Sequence, residues 1–183
     1  MRSICILALV SFVASIASAE DKKTTIPLAG LKGIAPADWV EEKPSNEMRQ
    51  AQFKLPKAAG DKEDAQFALF YFPMGSGTVD ANLKRQEVKF EIPEGVKPAD
   101  AIKVTKTKVG TIDATYQDIK GTFLSKFPPF APNAKITKKE GYRQLYVIFE
   151  AKDGGQFYIT ILGPDKTIEK HKKAFDEMLK NAK

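Results

Sequence analysis

The chain has 183 residues and a formal net charge of +6, with 43% hydrophobic and 28% charged residues, which excludes low-complexity disorder and collagen-like repeats. A single cysteine and a single histidine exclude most metal-binding and nucleophilic chemistry, so we predict no metal and no cofactor. What remains is a small α+β domain for which binding is a better expectation than catalysis.

The N-terminus has the pattern of a secretory signal peptide. A positive start at Arg2 precedes the uncharged apolar run from Ile4 to Ile16, and Ala17-Ser18-Ala19 fits the small-residue cleavage preference. We expect cleavage after Ala19 and an exported protein, periplasmic or secreted. The apolar run is shorter than the roughly 20 residues of a membrane-spanning helix, so we expect no membrane span after cleavage; an uncleaved anchor is the alternative.

The first half of the remaining chain predicts two strands and a helix. Residues 20–30 are interpreted as a flexible lead-in to a single domain over 31–183. Alternation predicts a strand over Met48 to Leu55, and the apolar run from Phe67 to Phe72 predicts a central strand covered on both faces. The stretch from Val79 to Phe90 predicts a helix with four residues on its buried face: Val79, Leu83, Gln86 and Phe90.

The second half predicts four strands and a C-terminal helix. The strands fall at Ile102 to Val109, Thr111 to Phe123, Tyr142 to Ala151 and Gln156 to Leu162, with a proline-rich loop over 126–135 and a hairpin signal at Lys152-Asp153-Gly154-Gly155. Lysines 103, 106 and 108 are expected to face water. Helical spacing continues from Thr167 to Ala182, with Asp165 or Thr167 as the cap. This order predicts an α+β fold, an antiparallel sheet flanked by helices.

Two segments are weak candidates for a site. We interpret the lone His171 as a surface residue of the last helix, because the sequence gives it no carboxylate or serine partner. Gly75-Ser76-Gly77, between a predicted strand and a predicted helix, is a possible anion contact through its backbone N–H groups. A tight turn that leads into the helix is the simpler interpretation of these glycines.

Carboxylate pairs leave one class of enzyme open. Asp113 and Asp118 fall five apart on one predicted strand, which places them on opposite faces. Glu150 and Asp153 flank the predicted hairpin, where charged residues are usually solvated. A hydrolase acting on a glycan-like polymer through two carboxyl groups is therefore an alternative to binding.

A stiff aromatic loop and three arginines are the best candidates for binding. The segment Phe127-Pro128-Pro129-Phe130 holds two aromatic rings among prolines, which suits contact with a protein partner or an apolar ligand, although such a loop can also cover the end of a sheet. After Arg2 the arginines are Arg49, Arg85 and Arg143. If they converge in the fold, they form an anion site.

Basic residues are spread among acidic ones through most of the chain. A short excess at Lys135, Lys138 and Lys139 is not accompanied by the aromatic-basic motif of an RNA-binding sheet. We therefore predict no nucleic-acid partner. A cationic binder of acidic envelope material stays open as a further alternative, with salt-sensitive affinity as its signature.

The C-terminal stretch YRQLYVIFEAKDGGQFYITILGP and the following AFDEML resemble the last hairpin and helix of PsbP-like domains. The segments APADWV, MRQAQFKLP, FALFYFPMGSG and ANLKRQEVKF are similar to uncharacterised exported bacterial proteins of the planctomycete type. The resemblance implies an α/β/α sandwich around an antiparallel sheet, acting as a non-catalytic binding or assembly module with an unknown protein or small-ligand partner. It carries over no catalytic residue.

Overall fold

An antiparallel sheet of eight strands forms the centre of the protein, and a separate two-stranded hairpin lies beside it. The computed structural model describes residues 24–128, 131, 133–152 and 154–183, and the predicted signal peptide lies outside them. The elements are β1 (Thr25–Leu28), β2 (Leu31–Ile34), β3 (Val40–Glu42), β4 (Arg49–Leu55), β5 (Ala65–Phe72), α1 (Val79–Glu87), β6 (Phe90–Glu91), α2 (Pro98–Ala101), β7 (Ile102–Val109), β8 (Ile112–Phe127), β9 (Lys135–Glu150), β10 (Gln156–Pro164) and α3 (Asp165–Lys180).

The order across the large sheet is β3-β4-β5-β10-β9-β8-β6. Strand β8 is long enough to pair with β7 along Ile112–Ile119 and with β6 at Thr122 and Phe123. The β8 and β9 strands continue to the pair Phe127 and Lys135. Residues 124–127 and 135–138 thus form a two-stranded projection, the β8–β9 ribbon. The predicted loop over 126–135 is correspondingly shorter than expected.

The larger core lies between the sheet and α3. Alternate residues of the central strands point to this side, among them Phe67, Val147 and Ile159, and they pack with Phe175 of the helix. Trp39 joins them, with its ring centroid 5.2 Å from that of Phe67. Burial of this apolar stripe is what holds α3 in place.

The opposite face of the sheet carries α1 and is much more polar. Thr78 caps the helix by accepting a hydrogen bond from the Ala81 N–H at 3.2 Å. Of the helix's apolar side chains only Leu83 is buried, against Tyr146 and Tyr158 among others. One helix on each face confirms the predicted α/β/α sandwich. Because α1 packs on the sheet through so few apolar side chains, part of this sheet face beside α1 is not covered by the helix.

Two sequence expectations about the elements are wrong. Residues 20–30 were expected to be a flexible lead-in, but in the described part of that range, from residue 24 onward, Ile26 and Leu28 of β1 are fully buried in the larger core. The predicted helix from Val79 ends at Glu87, and Phe90 instead pairs in β6. The predicted helix was too long because Phe90 falls at the next apolar position of the helical spacing, although it belongs to strand β6.

The cap of α3 also differs from expectation. The N-cap residue is Pro164, which has no side chain able to accept a hydrogen bond. Asp61, in the loop between β4 and β5, accepts from the Thr167 N–H at 2.9 Å and from its hydroxyl at 2.6 Å. A distant carboxylate therefore replaces the local cap. No described helix is both long and apolar enough to cross a bilayer.

Candidate functional site

A cleft of about 460 Å³ lies between α1 and the exposed part of the sheet, on the face opposite α3. Its floor is formed by strands β5, β9 and β10, and its walls by β4 and α1. Floor and wall residues include Phe70, Tyr146, Tyr158, Thr160 and Leu162. The volume falls in the usual range of small-molecule sites, which are about 300–1,000 Å³.

Three cationic side chains line the cleft: Arg49 from β4, Arg85 from α1, and Lys89 from the segment after α1. No aspartate or glutamate is among the described residues that line it. None of the three cations lies within 4.0 Å of a carboxylate oxygen in the described part of the chain. The cleft therefore holds positive charge without a lining counterion.

Arg49 is half-buried and held by neutral groups. Its Nη1 donates to Gln52 Oε1 at 2.6 Å and to Gln66 Oε1 at 2.8 Å, and its guanidinium lies over the Phe70 ring, 5.4 Å from the centroid. Burial lowers the pKa of Arg49, and the nearby Glu42 carboxylate opposes this only in part. Glu42 is linked to Arg49 through Gln52, whose Nε2 donates a hydrogen bond to the Glu42 carboxylate.

Arg85 and Lys89 are also bound to neutral oxygens. Arg85 Nη1 donates to the Ser76 carbonyl at 2.7 Å and to Asn82 Oδ1 at 2.8 Å. Lys89 Nζ donates to Gln86 Oε1 at 2.7 Å. Lys89 is exposed as a whole residue, yet protein atoms crowd its ammonium closely enough that desolvation lowers its pKa.

Arg49 and Arg85 therefore line the same cleft, and Arg143 does not join them. Arg143 points to the other face, where its guanidinium binds the carboxylates of Asp118, Asp165 and Glu169. Burial alone would lower the pKa of Arg143, but the hydrogen bonds to Asp118 and Glu169 outweigh it and raise the pKa. Arg143 is neutralised within the fold, whereas Arg49 and Arg85 are not.

Gly75-Ser76-Gly77 forms the turn into α1 at the end of the cleft. The Ser76 N–H donates to Gln156 Oε1 at 3.0 Å, and the Ser76 hydroxyl lies 2.7 Å from the Tyr158 hydroxyl. Ser76 lines the cleft. Anion contact through this segment stays a prediction, with the Ser76 N–H already engaged by a side chain.

Of the aromatic loop, Phe127 and Pro128 lie away from the cleft, at the tip of the β8–β9 ribbon. Phe127 is 75% exposed and Pro128 is exposed as well. Pro129 and Phe130 lie outside the described residues. Phe127 is not in contact with the larger core, so this residue does not cover the end of the sheet.

Asp113 and Asp118 do not form an acid–base pair and lie on opposite faces, as their spacing predicted, while the pair of Glu150 and Asp153 stays a prediction. Asp113 is paired with the exposed Lys108, while Asp118 lies on the other face with Arg143. Glu150 accepts a hydrogen bond from Gln156 at 3.1 Å, and Asp153 lies outside the described residues. A general acid needs a raised pKa. Three described carboxyl groups have a shifted pKa, and in each the pKa is lowered: Glu63, Asp113 and Glu169.

His171 is not the surface residue that the sequence suggested. It is 2% exposed, its Nε2 donates to the Pro56 carbonyl at 2.9 Å, and its Nδ1 lies 3.4 Å from Asp38 Oδ2. The imidazole thus ties α3 to two loops, which the helix spacing could not show. Among the described residues no three His, Cys, Asp or Glu side chains are grouped as metal ligands would be.

Amide side chains are the part of the cleft that the sequence analysis missed. Gln66, Asn82, Gln86 and Gln144 all line it. Gln144 is 3% exposed and donates to Gln86 Oε1 at 3.0 Å. The one available signal was Gln86, an amide on the otherwise apolar face predicted for α1.

No protein-family model matches the chain, and no curated protein matches it. Among solved structures, cyanobacterial PsbP (CyanoP) from Synechocystis sp. PCC 6803 aligns with a TM-score of 0.51 at 10% identity, covering 95% of this chain and 98% of that one. A Bacteroides thetaiotaomicron protein aligns at 0.45 with 18% identity over 89% of this chain and 48% of its own, so this chain spans about half its length. A Pseudomonas aeruginosa protein of unknown function aligns at 0.44 with 12% identity, covering 87% and 94%.

The likeness to CyanoP shows the fold. The chain has a PsbP-like arrangement, an antiparallel sheet between helices, as the sequence resemblance implied. A fold of this kind does not by itself assign a function. The relation to planctomycete proteins stays a prediction.

Proposed function

We propose that the protein is an exported, non-catalytic module that binds a small ligand in the cleft beside α1. Export rests on the signal-peptide pattern that ends at Ala19. The PsbP-like fold is consistent with a binding or assembly module. The observation that carries the proposal is the cleft itself, where two arginines and a lysine without lining counterions stand over an aromatic floor.

The cleft has the make-up of a binding site rather than of a packing defect. Its residues come from β4, β5, α1, β8, β9, β10 and the segments on either side of α1, so the fold assembles it from distant parts of the sequence. Apolar rings with a few polar groups are typical of ligand sites. The described lining offers amides, hydroxyls and cations but no carboxylate, so the hydrolase that acts through two carboxyl groups has no acid–base pair in this cleft.

Native mass spectrometry of the full chain, purified gently from its source organism, tests this function. We expect an added mass on the wild-type protein. Thr160→Phe fills the floor of the cleft and should remove the added mass, because the larger ring occupies the ligand's space. Thr105→Phe, the same change on the exposed strand β7, should retain it. A bare protein in all three samples, or retention by Thr160→Phe, contradicts the proposal.

A second candidate function is supported by Phe127. The residue is 75% exposed at the tip of the β8–β9 ribbon, so little of its ring is buried by the described part of the fold. Exposed aromatic side chains are frequent anchors in protein–protein contacts. In this alternative Phe127, Pro128, Pro129 and Phe130 contact a protein partner. Phe127→Ser should then weaken binding to that partner while the cleft still holds its ligand.

A further inference from the structure

We propose that the ligand of the cleft is an organic anion, with an oxyanion group held by Arg49, Arg85 and Lys89 and an apolar body against the half-buried phenylalanines. This inference rests on the proposed function and specifies its ligand class. It is carried by three observations: the balance of hydrogen-bond donors and acceptors, the absence of carboxylates among the described lining residues, and the position of the aromatic rings.

The oxygen atoms of the cleft's amides are largely engaged. Gln66 Oε1 accepts from Arg49, and Asn82 Oδ1 accepts from Arg85 and from the Ser76 hydroxyl. Gln86 Oε1 accepts from both Lys89 and Gln144. Three of the four lining amide oxygens are therefore engaged, whereas the hydroxyl groups that also line the cleft can donate as well as accept: Ser76, Tyr146, Tyr158 and Thr160.

Donors, in contrast, are in excess. The described residues offer no acceptor to the Nη2 groups of Arg49 and Arg85, and Lys89 uses one of its three N–H groups on Gln86. The Nε of Arg49 is fully buried and has no hydrogen-bond partner there. Arg85 and Lys89 are exposed residues, and of the Arg49 donors only Nε is buried without a partner, so the remaining donors are open to a ligand rich in acceptors.

The charge of the cleft points the same way. Arg143, which the fold uses for structure, has three carboxylate partners on the α3 side. The described residues give the cleft cations only neutral oxygens as hydrogen-bond partners, so their charge is available to a ligand. Charge-assisted hydrogen bonds from guanidinium or ammonium to an oxyanion are about twice as strong as neutral ones. An anionic group is therefore the ligand feature that this wall recognises best.

The apolar part of the ligand has a defined surface to occupy. Phe70, Phe72 and Phe123 line the cleft and are each half-buried, so part of each ring faces the open space. Arg49 lies over Phe70, which places a cation directly beside an aromatic face. An inorganic anion would leave these rings uncovered. An oxyanion attached to an aromatic or aliphatic body fits both the charge and the rings.

Two fluorescent probes test whether the cleft prefers an organic anion to a neutral ligand. 8-Anilinonaphthalene-1-sulfonate carries an oxyanion, and N-phenyl-1-naphthylamine has the same aromatic body without it. Titrated into the full chain, the sulfonate should bind at least about tenfold more tightly, since charge-assisted hydrogen bonds supply the difference. Arg85→Gln and Lys89→Gln should each reduce sulfonate affinity about tenfold and leave the neutral probe unchanged. Lys103→Gln is the control, because it removes one positive charge from exposed strand β7, outside the cleft. Circular dichroism checks that each variant is folded.

The outcomes separate the two proposals. Equal affinity for both probes, or equal behaviour of Arg85→Gln, Lys89→Gln and Lys103→Gln, overturns the anion class while leaving ligand binding in the cleft intact. Unchanged affinity of both probes for Thr160→Phe shows that they bind elsewhere and contradicts the site itself. Selective loss of the sulfonate probe in both cleft variants supports the inference.

Discussion

Arg143 holds the Asp118 carboxylate through two parallel hydrogen bonds, from Nε to Oδ1 at 2.8 Å and from Nη2 to Oδ2 at 2.7 Å. Both side chains are largely buried, at 6% and 15% exposed. Since Asp165 and Glu169 also contact this guanidinium, Arg143 joins the sheet to the first turns of α3.

Replacing this arginine should strongly destabilise the fold. Arg143→Met leaves the Asp118 carboxylate buried without its partner, and we expect a loss of about 3 kcal/mol or more in the free energy of unfolding. Urea denaturation measures it. Lys108→Met, which breaks the exposed pair with Asp113, is the control and should cost less than about 1 kcal/mol. Equal small losses in both variants would show that the buried pair contributes no more than a surface one.

The pH dependence of stability should report the contact between Arg143 and Glu169. Hydrogen bonding to Arg143 holds the pKa of Glu169 below its ordinary value. The folded state therefore gains stability above the ordinary glutamate pKa, and this gain is lost as the pH falls through the lower folded-state pKa. Glu169→Gln removes that contribution, so its stability should fall less steeply in acid. Denaturation curves from neutral pH to pH 3 test this; parallel profiles contradict it.

A glycine pair tests the close approach of the β7–β8 turn to α3. Gly110 and Gly30 both have positive φ, at 57° and 85°. A Cβ at Gly110 would overlap the Ala182 carbonyl oxygen, whereas one at Gly30 meets nothing within 4 Å. We expect Gly110→Ala to cost about 1–3 kcal/mol more than Gly30→Ala, because only the former adds steric overlap to backbone strain. Equal melting temperatures for the two variants would contradict this packing.

Asp61 should stabilise α3 from outside the helix. Asp61→Ala removes the acceptor of the Thr167 N–H and hydroxyl, and loss of a helix cap costs about 1–2 kcal/mol. Thermal denaturation gives the change. Glu177→Ala, on the exposed side of the same helix, is the control and should change little. A loss no greater than that of the control would mean that water replaces the cap fully.

Phe127 should matter little for stability. Because its ring is mostly exposed, Phe127→Ser is expected to change the free energy of unfolding by no more than about 0.5 kcal/mol. Phe53→Ala, a change in the larger core, should cost about 3–5 kcal/mol. A large loss on Phe127→Ser would assign the ring a packing role and remove the support for a protein partner.

Local pattern was enough to predict most of the sheet and α3. The turn residues at 152–155 predicted the hairpin of β9 and β10, and helical spacing around Phe175 predicted α3. The N-terminal strands were missed because Ile26 and Leu28 become buried only through contacts with distant parts of the fold. The spacing of apolar residues along a short segment cannot predict contacts with distant parts of the chain.

The cleft, too, could be predicted from the sequence only in part. Arginine counting raised the possibility that Arg49 and Arg85 meet, but their approach depends on the pairing of β4 with β5 and on where α1 lies across the sheet. Arg143 could not be told apart from them by sequence, since strand alternation and the partner Asp118 decide its face. The unpaired charge of the cleft is a property of tertiary structure.

Chemical-shift mapping by NMR, with 8-anilinonaphthalene-1-sulfonate titrated into the isotope-labelled protein, tests the central claim most directly. If the cleft beside α1 is the binding site, the amides of Val79–Glu87 and of Tyr158 to Leu162 shift together and saturate, and Thr160→Phe abolishes the response. Shifts confined to α3 or to the β8–β9 ribbon, or no saturable shifts in the cleft, would contradict it.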